Sequence, residues 1–519
     1  MISRVHSSIL QGIDAVGCEV EADVVTTADK PDIKLVGLAD KAVQESVSRI
    51  QAALRNSGYR WPGPKVTINL APADVKKDSS AFDLPIAVAC MLASGQFFTE
   101  KIDDYLILGE LALDGRVRPI KGALAAAMFA ARDGKRGVIV PADNAAEAAV
   151  VEGLDVLGVS FVSDAVGILT DALPVEPHVV DLDEVFAVAG KYDVDFSDVR
   201  GQESAKRALT VAAAGHHNIL MIGPPGSGKT MLAKRIPTIL PPLSPAESLE
   251  TTRVYSSRGL LPSGQALLAV RPVRTPHHST SAAALIGGGT IPQAGEISLA
   301  HHGVLFLDEF PEFTRSTLEM IRQPLEDGCV TIPRVHSTLR FPAQIMLVAA
   351  MNPCPCGYFT DPKRRCKCSP NQIERYLSRV SGPLIDRIDI HIEVPPVPWR
   401  QLRATRDGTD SQSMSRQVVQ AREIQRGRFA DEAAGQNGNH PSTTTNATMT
   451  TRQVRRFCKL DEAGEVLLKQ AMGELGLSAR AHDKVLRISR TIADIEGDEN
   501  IAAHHLAEAI QYRRLDRKL

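Results

Sequence analysis

The glycine-rich segment Gly223–Thr230 constrains this chain more than any other feature of its sequence. It reads G-P-P-G-S-G-K-T and fits the pattern G-x-x-x-x-G-K-[ST] of a loop that binds nucleotide phosphates. The apolar run 218–222 before it predicts a buried strand, and the helix-forming run 231–235 after it predicts a helix, which is the context the motif requires. A chance glycine-rich turn is a weak alternative when the spacing and both flanks are present. The sequence therefore predicts an α/β domain that binds a nucleoside triphosphate.

The residues of this loop have separable roles in holding the triphosphate. Backbone N–H groups surround the phosphate oxygens, and the start of the following helix adds favourable partial charge. Lys229 is expected to reach the β- and γ-phosphates, and the Thr230 hydroxyl is expected to ligate Mg²⁺. The predicted ATP-binding residues are Gly223, Pro224, Pro225, Gly226, Ser227, Gly228, Lys229 and Thr230.

Length and composition limit the remaining possibilities. The 519 residues are too many for one hydrophobic core, so several domains are expected. Hydrophobic residues make up 44% and charged residues 23%, and no stretch has the length and apolarity of a membrane span, so the chain is expected to be cytoplasmic without a membrane partner. The formal net charge of −2 means that any binding to nucleic acid has to use local basic patches. Eight cysteines in so long a chain do not indicate a disulfide scaffold.

Composition shifts along the chain predict five parts. Residues 1–170 alternate β-like runs with alanine-rich helical stretches such as 124–131, and predict an α+β domain. The other parts are a proline-bearing, acidic linker at 171–194, the α/β ATPase core at 195–400, a basic helix at 416–429 flanked by polar stretches within 401–451, and a helical C-terminal part at 452–519. The polar stretches 404–415 and 431–451 are expected to loop out or to be disordered.

Two further strands of the predicted core end in polar residues that suit ATP hydrolysis. The apolar run 304–307 is followed by Asp308 and Glu309, which are expected to hold Mg²⁺ and to activate the attacking water, respectively. An acidic pair at the solvent end of a strand is common and by itself indicates no function. Downstream of a phosphate loop, a role in ATP hydrolysis is the better interpretation of such a pair. The next apolar run, 345–350, is closed by Met351 and Asn352, and Asn352 is expected to orient the water; alone it would be a turn residue before proline.

The order of these motifs resembles the AAA+ superfamily, and three segments narrow the resemblance. They are R-P-V-R-T-P-H-H-S-T-S-A-A-A-L-I-G-G-G from Arg271, N-P-C-P-C-G-Y from Asn352, and A-R-A-H-D-K-V-L-R-I-S-R from Ala479. On these residues the chain is identified as a member of the magnesium-chelatase-like ComM/YifB family of AAA+ ATPases. The resemblance covers almost the whole chain and implies an AAA+ core with a C-terminal helical lid, working as a homo-oligomeric ring, a hexamer, with ATP between subunits.

The same resemblance assigns roles to three polar residues. It implies that Asn352 is the sensor-1 residue, that Arg387 is an arginine finger entering the neighbouring subunit's site, and that Arg480 is the sensor-2 residue, with Arg487 two turns along the same helix. For any single arginine, the alternative to a catalytic role is an ordinary ion pair on the protein surface.

The N-terminal part of the family resembles the Lon protease domain, which carries a serine in P-K-D-G-P-S-A-G and a lysine in P-I-G-G-L-K. Here Ser80 falls on the position of the nucleophile, whereas Leu124 falls on that of the general base and Lys121 comes three residues early. A serine needs an adjacent base to become nucleophilic. Peptidase activity is therefore not expected unless Lys121 or Lys77 restores the geometry, and a role in partner binding or assembly fits better.

Two basic loops are the candidate DNA contacts. The run 330–341 predicts a β-hairpin with Arg334, His336 and Arg340 near its tip, and in related ring ATPases a hairpin at this point projects into the central channel. A second loop at 271–289 carries Arg271, Arg274, His277 and His278 before Gly287-Gly288-Gly289. Neither loop interleaves aromatic residues, so contact with the DNA backbone, independent of sequence, is expected. A solvated hairpin with incidental charge is the alternative.

Four of the cysteines, Cys354, Cys356, Cys366 and Cys368, lie within fifteen residues. They could bind Zn²⁺ tetrahedrally as a small structural knuckle, although the C-x-C spacing is tighter than the usual C-x₂₋₄-C. Free or redox-active thiols are an equal alternative.

Hydrolysis of ATP is predicted by the motifs of this chain, whereas the DNA substrate is implied by the family. The resemblance implies a helicase that migrates DNA branches while incoming single strands are integrated during natural transformation. Two alternatives stay open: a motor subunit of the magnesium-chelatase type, which acts on a partner enzyme, and a chaperone that remodels proteins. The Lon-like front end favours the helicase.

Overall fold

The computed structural model describes the chain except residues 1, 26–31, 39–40, 74–76, 78, 189–191, 290–291, 334–337, 360, 362–363, 399–400, 402–407, 435–443, 477 and 518–519. The N-terminal part forms a mixed sheet with the strand order β3-β4-β2-β1-β5-β8-β9. Its strands are β1 (Ile2–Gln11), β2 (Asp14–Val25), β3 (Asp32–Val36), β4 (Lys65–Ala71), β5 (Tyr105–Ile107), β6 (Glu110–Leu111), β7 (Val117–Arg118), β8 (Gly137–Pro141) and β9 (Asp155–Val159), of which β6 and β7 pair separately. Its helices are α1 (Lys41–Asn56), α2 (Asp83–Ala93), α3 (Ala123–Arg132), α4 (Ala145–Ala148), α5 (Val162–Leu169) and α6 (Leu182–Val188).

The ATPase core is built on a parallel sheet with the order β11-β14-β17-β10-β18. The strands of this part are β10 (Ile219–Ile222), β11 (Val273–Arg274), β12 (Gly287–Gly288), β13 (Gln293–Ala294), β14 (Val304–Leu307), β15 (Cys329–Pro333), β16 (Thr338–Pro342), β17 (Met346–Met351) and β18 (Ile390–Glu393). The helices are α7 (Glu203–Gly215), α8 (Lys229–Ala233), α9 (Pro245–Arg258), α10 (Ala282–Ile286), α11 (Glu296–Leu299), α12 (Arg315–Asp327), α13 (Pro370–Leu377) and α14 (Gly382–Ile385). Strands β10, β14 and β17 are apolar and buried throughout, as expected for a sheet covered on both faces.

The C-terminal part is helical, as the pattern predicts. Its helices are α15 (Ser411–Ala434), α16 (Thr451–Phe457), α17 (Glu462–Leu475), α18 (Ala479–Glu496) and α19 (Ala503–Gln511). The fully buried carboxylate of Asp494 on α18 accepts hydrogen bonds from Arg490 at 3.0 Å, from Asn446 at 2.8 Å and from Arg428 at 2.9 Å, so this ion-pair network ties α15 to α18. Among the helices in the described residues, none combines the length and the hydrophobicity that a bilayer crossing requires.

The sequence predicts several of these elements. The expected strand at 66–70 is β4, the expected helix at 124–131 is α3, and the hairpin at 330–341 is formed by β15 and β16. The basic helix at 416–429 is longer than expected, because α15 begins at Ser411, so residues 411–415 and 431–434 are helical instead of looping out. Residues 402–407 and 435–443 of the same polar stretches lie outside the described residues. The stretch 171–194 contains α6.

The N-terminal part is joined to the ATPase core by close packing. Ile13, in the turn between β1 and β2, is buried in the same hydrophobic cluster as Phe341 at the base of the β15–β16 hairpin. A Cβ placed on the adjacent Gly12 would lie 3.7 Å from both Leu339 and Phe341. The backbone N–H of Gly122 also donates to the carbonyl of Ser256 on α9 at 3.0 Å. The N-terminal part therefore contacts the hairpin directly.

Candidate ATPase site

The loop Gly223–Thr230 connects β10 to α8 at the carboxyl end of the parallel sheet. A Cβ on Gly223 would lie 2.2 Å from the Val394 carbonyl oxygen, so this position accepts only glycine. Gly228, at φ +92°, adopts the left-handed conformation that lets the loop enter the helix. Lys229 Nζ donates to the carbonyls of Gly223 at 2.7 Å and Pro224 at 3.0 Å, which holds the ammonium group inside the loop. The loop thus has the shape and charge that phosphate groups require.

The two residues expected to hold Mg²⁺ are in contact. Thr230 Oγ1 donates to Asp308 Oδ2 at 2.7 Å, although the two residues are 78 positions apart. Asp308 Oδ1 accepts the backbone N–H of Glu309 at 2.9 Å, which fixes the orientation of the carboxylate. A hydroxyl and a carboxylate are oxygen donors of the kind that Mg²⁺ binds, alongside phosphate oxygens and water. The residues present therefore fit a magnesium ion.

Asn352 lies at the end of β17, next to the phosphate loop, as predicted. Its Oδ1 is 3.4 Å from Lys229 Nζ, because β17 is the parallel neighbour of β10 and their carboxyl ends coincide. Burial lowers the pKa of Lys229, and the nearby carboxylate of Asp308 acts in the opposite direction. The amide of Asn352 therefore contacts the same ammonium group that the triphosphate would contact.

Glu309 has a partner that sequence reasoning missed. Its Oε2 lies 3.0 Å from His278 Nδ1, and the glutamate side chain is 57% exposed. Glu309 itself has φ +51°, which turns the chain sharply after β14. Strand β11 pairs in parallel with β14, so residues shortly after Arg274 have to lie beside those after Leu307. That pairing, once known, is the signal that would have placed His278 beside Glu309.

Gln202 is a second residue of the site that no sequence motif marks. It adopts φ +61° immediately before α7, and its Nε2 donates to the carbonyls of Ser227 at 3.3 Å and Pro395 at 2.5 Å. Gln202 therefore ties the phosphate loop to the chain that follows β18. The sequence gives little sign of this role, since a lone glutamine in a turn has many functions.

Arg387 and Arg480 lie at the opposite edge of the sheet from the phosphate loop. Asn218, just before β10, donates its Nδ2 to the carbonyl of Arg387 at 3.2 Å, whereas the phosphate loop follows the other end of β10. The Arg387 side chain is 12% exposed and bonds Glu326 and the Pro383 carbonyl. Lys484 pairs with Asp389 at 2.8 Å, and Arg480 lies one turn before Lys484 on α18. The structure therefore separates both arginines from the phosphates of their own subunit.

The candidate DNA residues have different surroundings. Arg340 is exposed on β16, and its Nη2 lies 3.2 Å from Cys329 Sγ on the paired strand. Arg274 makes a two-point ion pair with Glu296 at 2.6 and 2.8 Å, so its charge is neutralised inside the fold and the expected phosphate contact is disfavoured. Arg334 and His336 lie outside the described residues. The two basic loops are neighbours, since a Cβ on Gly287 would be 3.3 Å from Ile332 of the hairpin.

The Lon-like serine has a carboxylate as its partner. Ser80 Oγ donates to Glu110, and Leu124, at the position of the general base, is fully buried in α3. The aliphatic part of Lys121 packs against Gly259 of the ATPase core, where a Cβ would lie 3.2 Å from Lys121 Cγ. Ser80 is therefore paired with a carboxylate, and the position of the Lon-type lysine is occupied by a buried leucine.

Comparison with known proteins relates this geometry to a family. Three sequence profiles match: "Magnesium chelatase, subunit ChlI" over residues 195–402, "Subunit ChlI of Mg-chelatase" over 20–144, and "Magnesium chelatase, subunit ChlI C-terminal" over 408–513. The chain is 42% identical to Competence protein ComM of Haemophilus influenzae over 524 residues, covering 100% of this chain and 98% of that protein. It is 41% identical to the uncharacterized protein YifB of Escherichia coli over 520 residues, with the same coverage. The magnesium-chelatase 67 kDa subunit of Chlorobaculum parvum matches 31% of this chain at 28% identity.

Proposed function

Because this chain belongs to the ComM/YifB family of magnesium-chelatase-like AAA+ ATPases, we propose that it hydrolyses ATP as a ring of identical subunits and uses the energy to move along DNA. The ring is a hexamer, with one ATP at each junction between subunits. The observation that carries the oligomer is the distribution of charge: the phosphate loop, Asp308 and Glu309 lie at one edge of the sheet, and Arg387 and Arg480 lie at the other. A subunit is therefore incomplete without a neighbour that supplies the arginines.

Within one junction, the residues of this chain divide the work. Lys229 and the backbone of the phosphate loop bind the triphosphate. Thr230 and Asp308 would hold a magnesium ion, which would supply positive charge to the phosphate oxygens. Glu309 accepts a proton from the attacking water, and Asn352 orients that water. Arg387 of the adjacent subunit leaves Glu326 and stabilises the negative charge that develops in the transition state.

The hairpin formed by β15 and β16 is the proposed contact with DNA. Arg340 offers an exposed guanidinium group to a phosphate, and the neighbouring glycine loop at 287–289 packs against the same hairpin. A contact of this kind is independent of base sequence. A relative that matches this chain over its full length is named a competence protein, which supports DNA as the partner.

The specific task that we propose is branch migration in the cytoplasm, where incoming single-stranded DNA is exchanged into a duplex during natural transformation. Peptidase activity is not part of the proposal, because the general-base position of the Lon-type dyad holds Leu124, which is fully buried. The N-terminal part is instead proposed to support assembly and to fix the hairpin.

A second candidate is a motor subunit that remodels a partner enzyme, as in magnesium chelatase. The matches to the ChlI profiles over the ATPase core and the C-terminal helices favour it. The two candidates share the ATP site and differ in what stimulates it.

ATP turnover with and without forked or four-way DNA separates the candidates. We expect branched DNA to stimulate hydrolysis, and ATP to drive displacement of a labelled strand, with Glu309→Gln as the control that binds ATP without strand displacement. Turnover that ignores DNA but rises with a protein partner would contradict the proposal and favour the remodelling motor.

A further inference from the structure

Four cysteine side chains converge in the loop that follows β17. Cys354 Sγ lies 3.4 Å from Cys356 Sγ and 3.7 Å from Cys366 Sγ, and the latter two sulfurs are 3.6 Å apart. Cys368 completes the group, since all four sulfurs lie within 4.8 Å of one another. The two C-x-C pairs therefore face each other across the loop, although nine residues lie between Cys356 and Cys366.

These distances match a tetrahedral metal site. With a Zn–S bond of about 2.3 Å, the sulfurs at the corners of a regular tetrahedron lie about 3.8 Å apart. A disulfide would bring two sulfurs to about 2.05 Å and leave the other two without a partner. The observed separations of 3.4 to 3.7 Å agree with four thiolates around one ion.

A backbone donor lies within the cluster. The N–H of Cys368 donates to Cys366 Sγ at 3.4 Å. Donors of this kind surround the ligands of bound metals and fix their orientation.

Two other groups among the residues that the structure describes bring histidines and carboxylates together, and in each of them one buried histidine has protein partners at both ring nitrogens. His301 accepts the backbone N–H of Gln344 at its Nδ1 (3.1 Å), so its protonated Nε2 donates to Glu250. His505 accepts the N–H of Ala502 in the same way (3.0 Å), so its Nε2 donates to the carboxylates near it. In His301 and His505, the ring nitrogen that faces the carboxylates therefore already carries a proton.

We propose that one structural Zn²⁺ ion is bound by Cys354, Cys356, Cys366 and Cys368, and that this ion stabilises the ATP site. The loop packs directly on the phosphate loop: a Cβ on Gly357, at φ +84°, would lie 2.5 Å from Pro225 Cδ and 3.8 Å from Asn352 Cγ. Asn352 is only two residues from the first ligand. The ion therefore fixes the segment that carries Asn352 against the loop that carries Lys229.

The metal content of the full-length protein tests the proposal. We expect about one zinc per chain in protein purified without chelators, and less than about a tenth of that in Cys366→Ser. Cys329→Ser is the matched control, because Cys329 is also half-buried but lies outside the cluster, and it should keep its zinc. Far-UV circular dichroism and nucleotide binding show whether a variant is folded.

Replacement of zinc by Co²⁺ identifies the ligands even if the variants fail to fold. Four thiolates give strong sulfur-to-cobalt absorption in the near ultraviolet and a tetrahedral band in the visible, and ATP turnover should fall on chelation and return with zinc. The proposal would be overturned by wild-type protein that contains no zinc and shows no thiolate–cobalt absorption. It would also be overturned if the bound metal were iron, or if the Glu250→Gln variant lost its zinc while the Cys366→Ser variant kept it.

Discussion

The separation of the two halves of the ATP site leads to a quantitative prediction about mixed rings. Strands β10 and β18 each span four residues. At about 3.3 Å per residue the two edges of the sheet are about 13 Å apart, and the Arg387 carbonyl and the phosphate loop lie at opposite edges. Glu309→Gln and Arg387→Ala should therefore each be inactive alone, because each removes one half of every junction. Coexpressed, they should restore activity, since some junctions receive an intact Glu309 from one subunit and an intact Arg387 from the next.

The size of the recovery follows from the geometry. In a randomly mixed ring with equal amounts of both variants, half of the subunits have Glu309 and half have Arg387, so about one junction in four has both. Phosphate release per subunit should reach about a quarter of the wild-type value if junctions act independently. Coexpression of Glu309→Gln with the double variant Glu309→Gln/Arg387→Ala is the matched control, and it should restore nothing because it contains no intact Glu309.

Two results would refute this reasoning. One is full turnover by Arg387→Ala alone, which would remove Arg387 from the site. The other is a mixture no more active than the sum of its parts, although differently tagged subunits copurify, which would mean that both groups act within one subunit.

The remaining predictions concern single side chains. Glu309→Gln should bind a fluorescent ATP analogue normally and lose about 10²- to 10⁴-fold in turnover, because only the general base is removed; normal turnover would contradict the role of Glu309. Arg340→Ala should weaken DNA binding equally for all sequences and lower the slope of log affinity against log salt concentration by about 1. Arg116→Ala, which replaces an exposed arginine of the N-terminal part, should change neither quantity. An unchanged slope for Arg340→Ala would contradict the proposed contact between the hairpin and DNA. Asp494→Ala should destabilise the C-terminal helices by about 3–5 kcal/mol, because it leaves the buried guanidinium groups of Arg428 and Arg490 without their carboxylate. Hydrogen exchange measures this in α18, with the exposed Asp114→Ala as the control, and unchanged protection would contradict the network.

The parts of the site that the sequence predicts are those whose signal is local. The phosphate loop is recognised by its spacing and its two flanks within eighteen residues, and Asp308, Glu309 and Asn352 each follow a short apolar run. Parallel strands gather their carboxyl ends at one edge, so three separate runs of sequence converge on one site. The contact of Thr230 with Asp308 follows from that rule.

The parts that the sequence did not predict depend on pairs of distant residues. His278 is 31 positions from Glu309, and Glu296 is 22 from Arg274, so neither pair leaves a pattern in the local sequence. The same limit applies to the basic loop: charge can be counted from a sequence, but the ion pair between Arg274 and Glu296 cannot be predicted from it. The distances among the four sulfurs around Cys354 also cannot be predicted from the sequence, which leaves a zinc site and free thiols as alternatives.

The burial of Ile13 beside Phe341 has a consequence for how truncated forms of this protein should be interpreted. In a chain shortened to the ATPase core, the apolar residues at the base of the β15–β16 hairpin would be exposed to water. The hairpin would also lose the packing contacts that the N-terminal part makes with it. Defects in such a chain would reflect a damaged motor, and they would say nothing about a separate task of the missing N-terminal part.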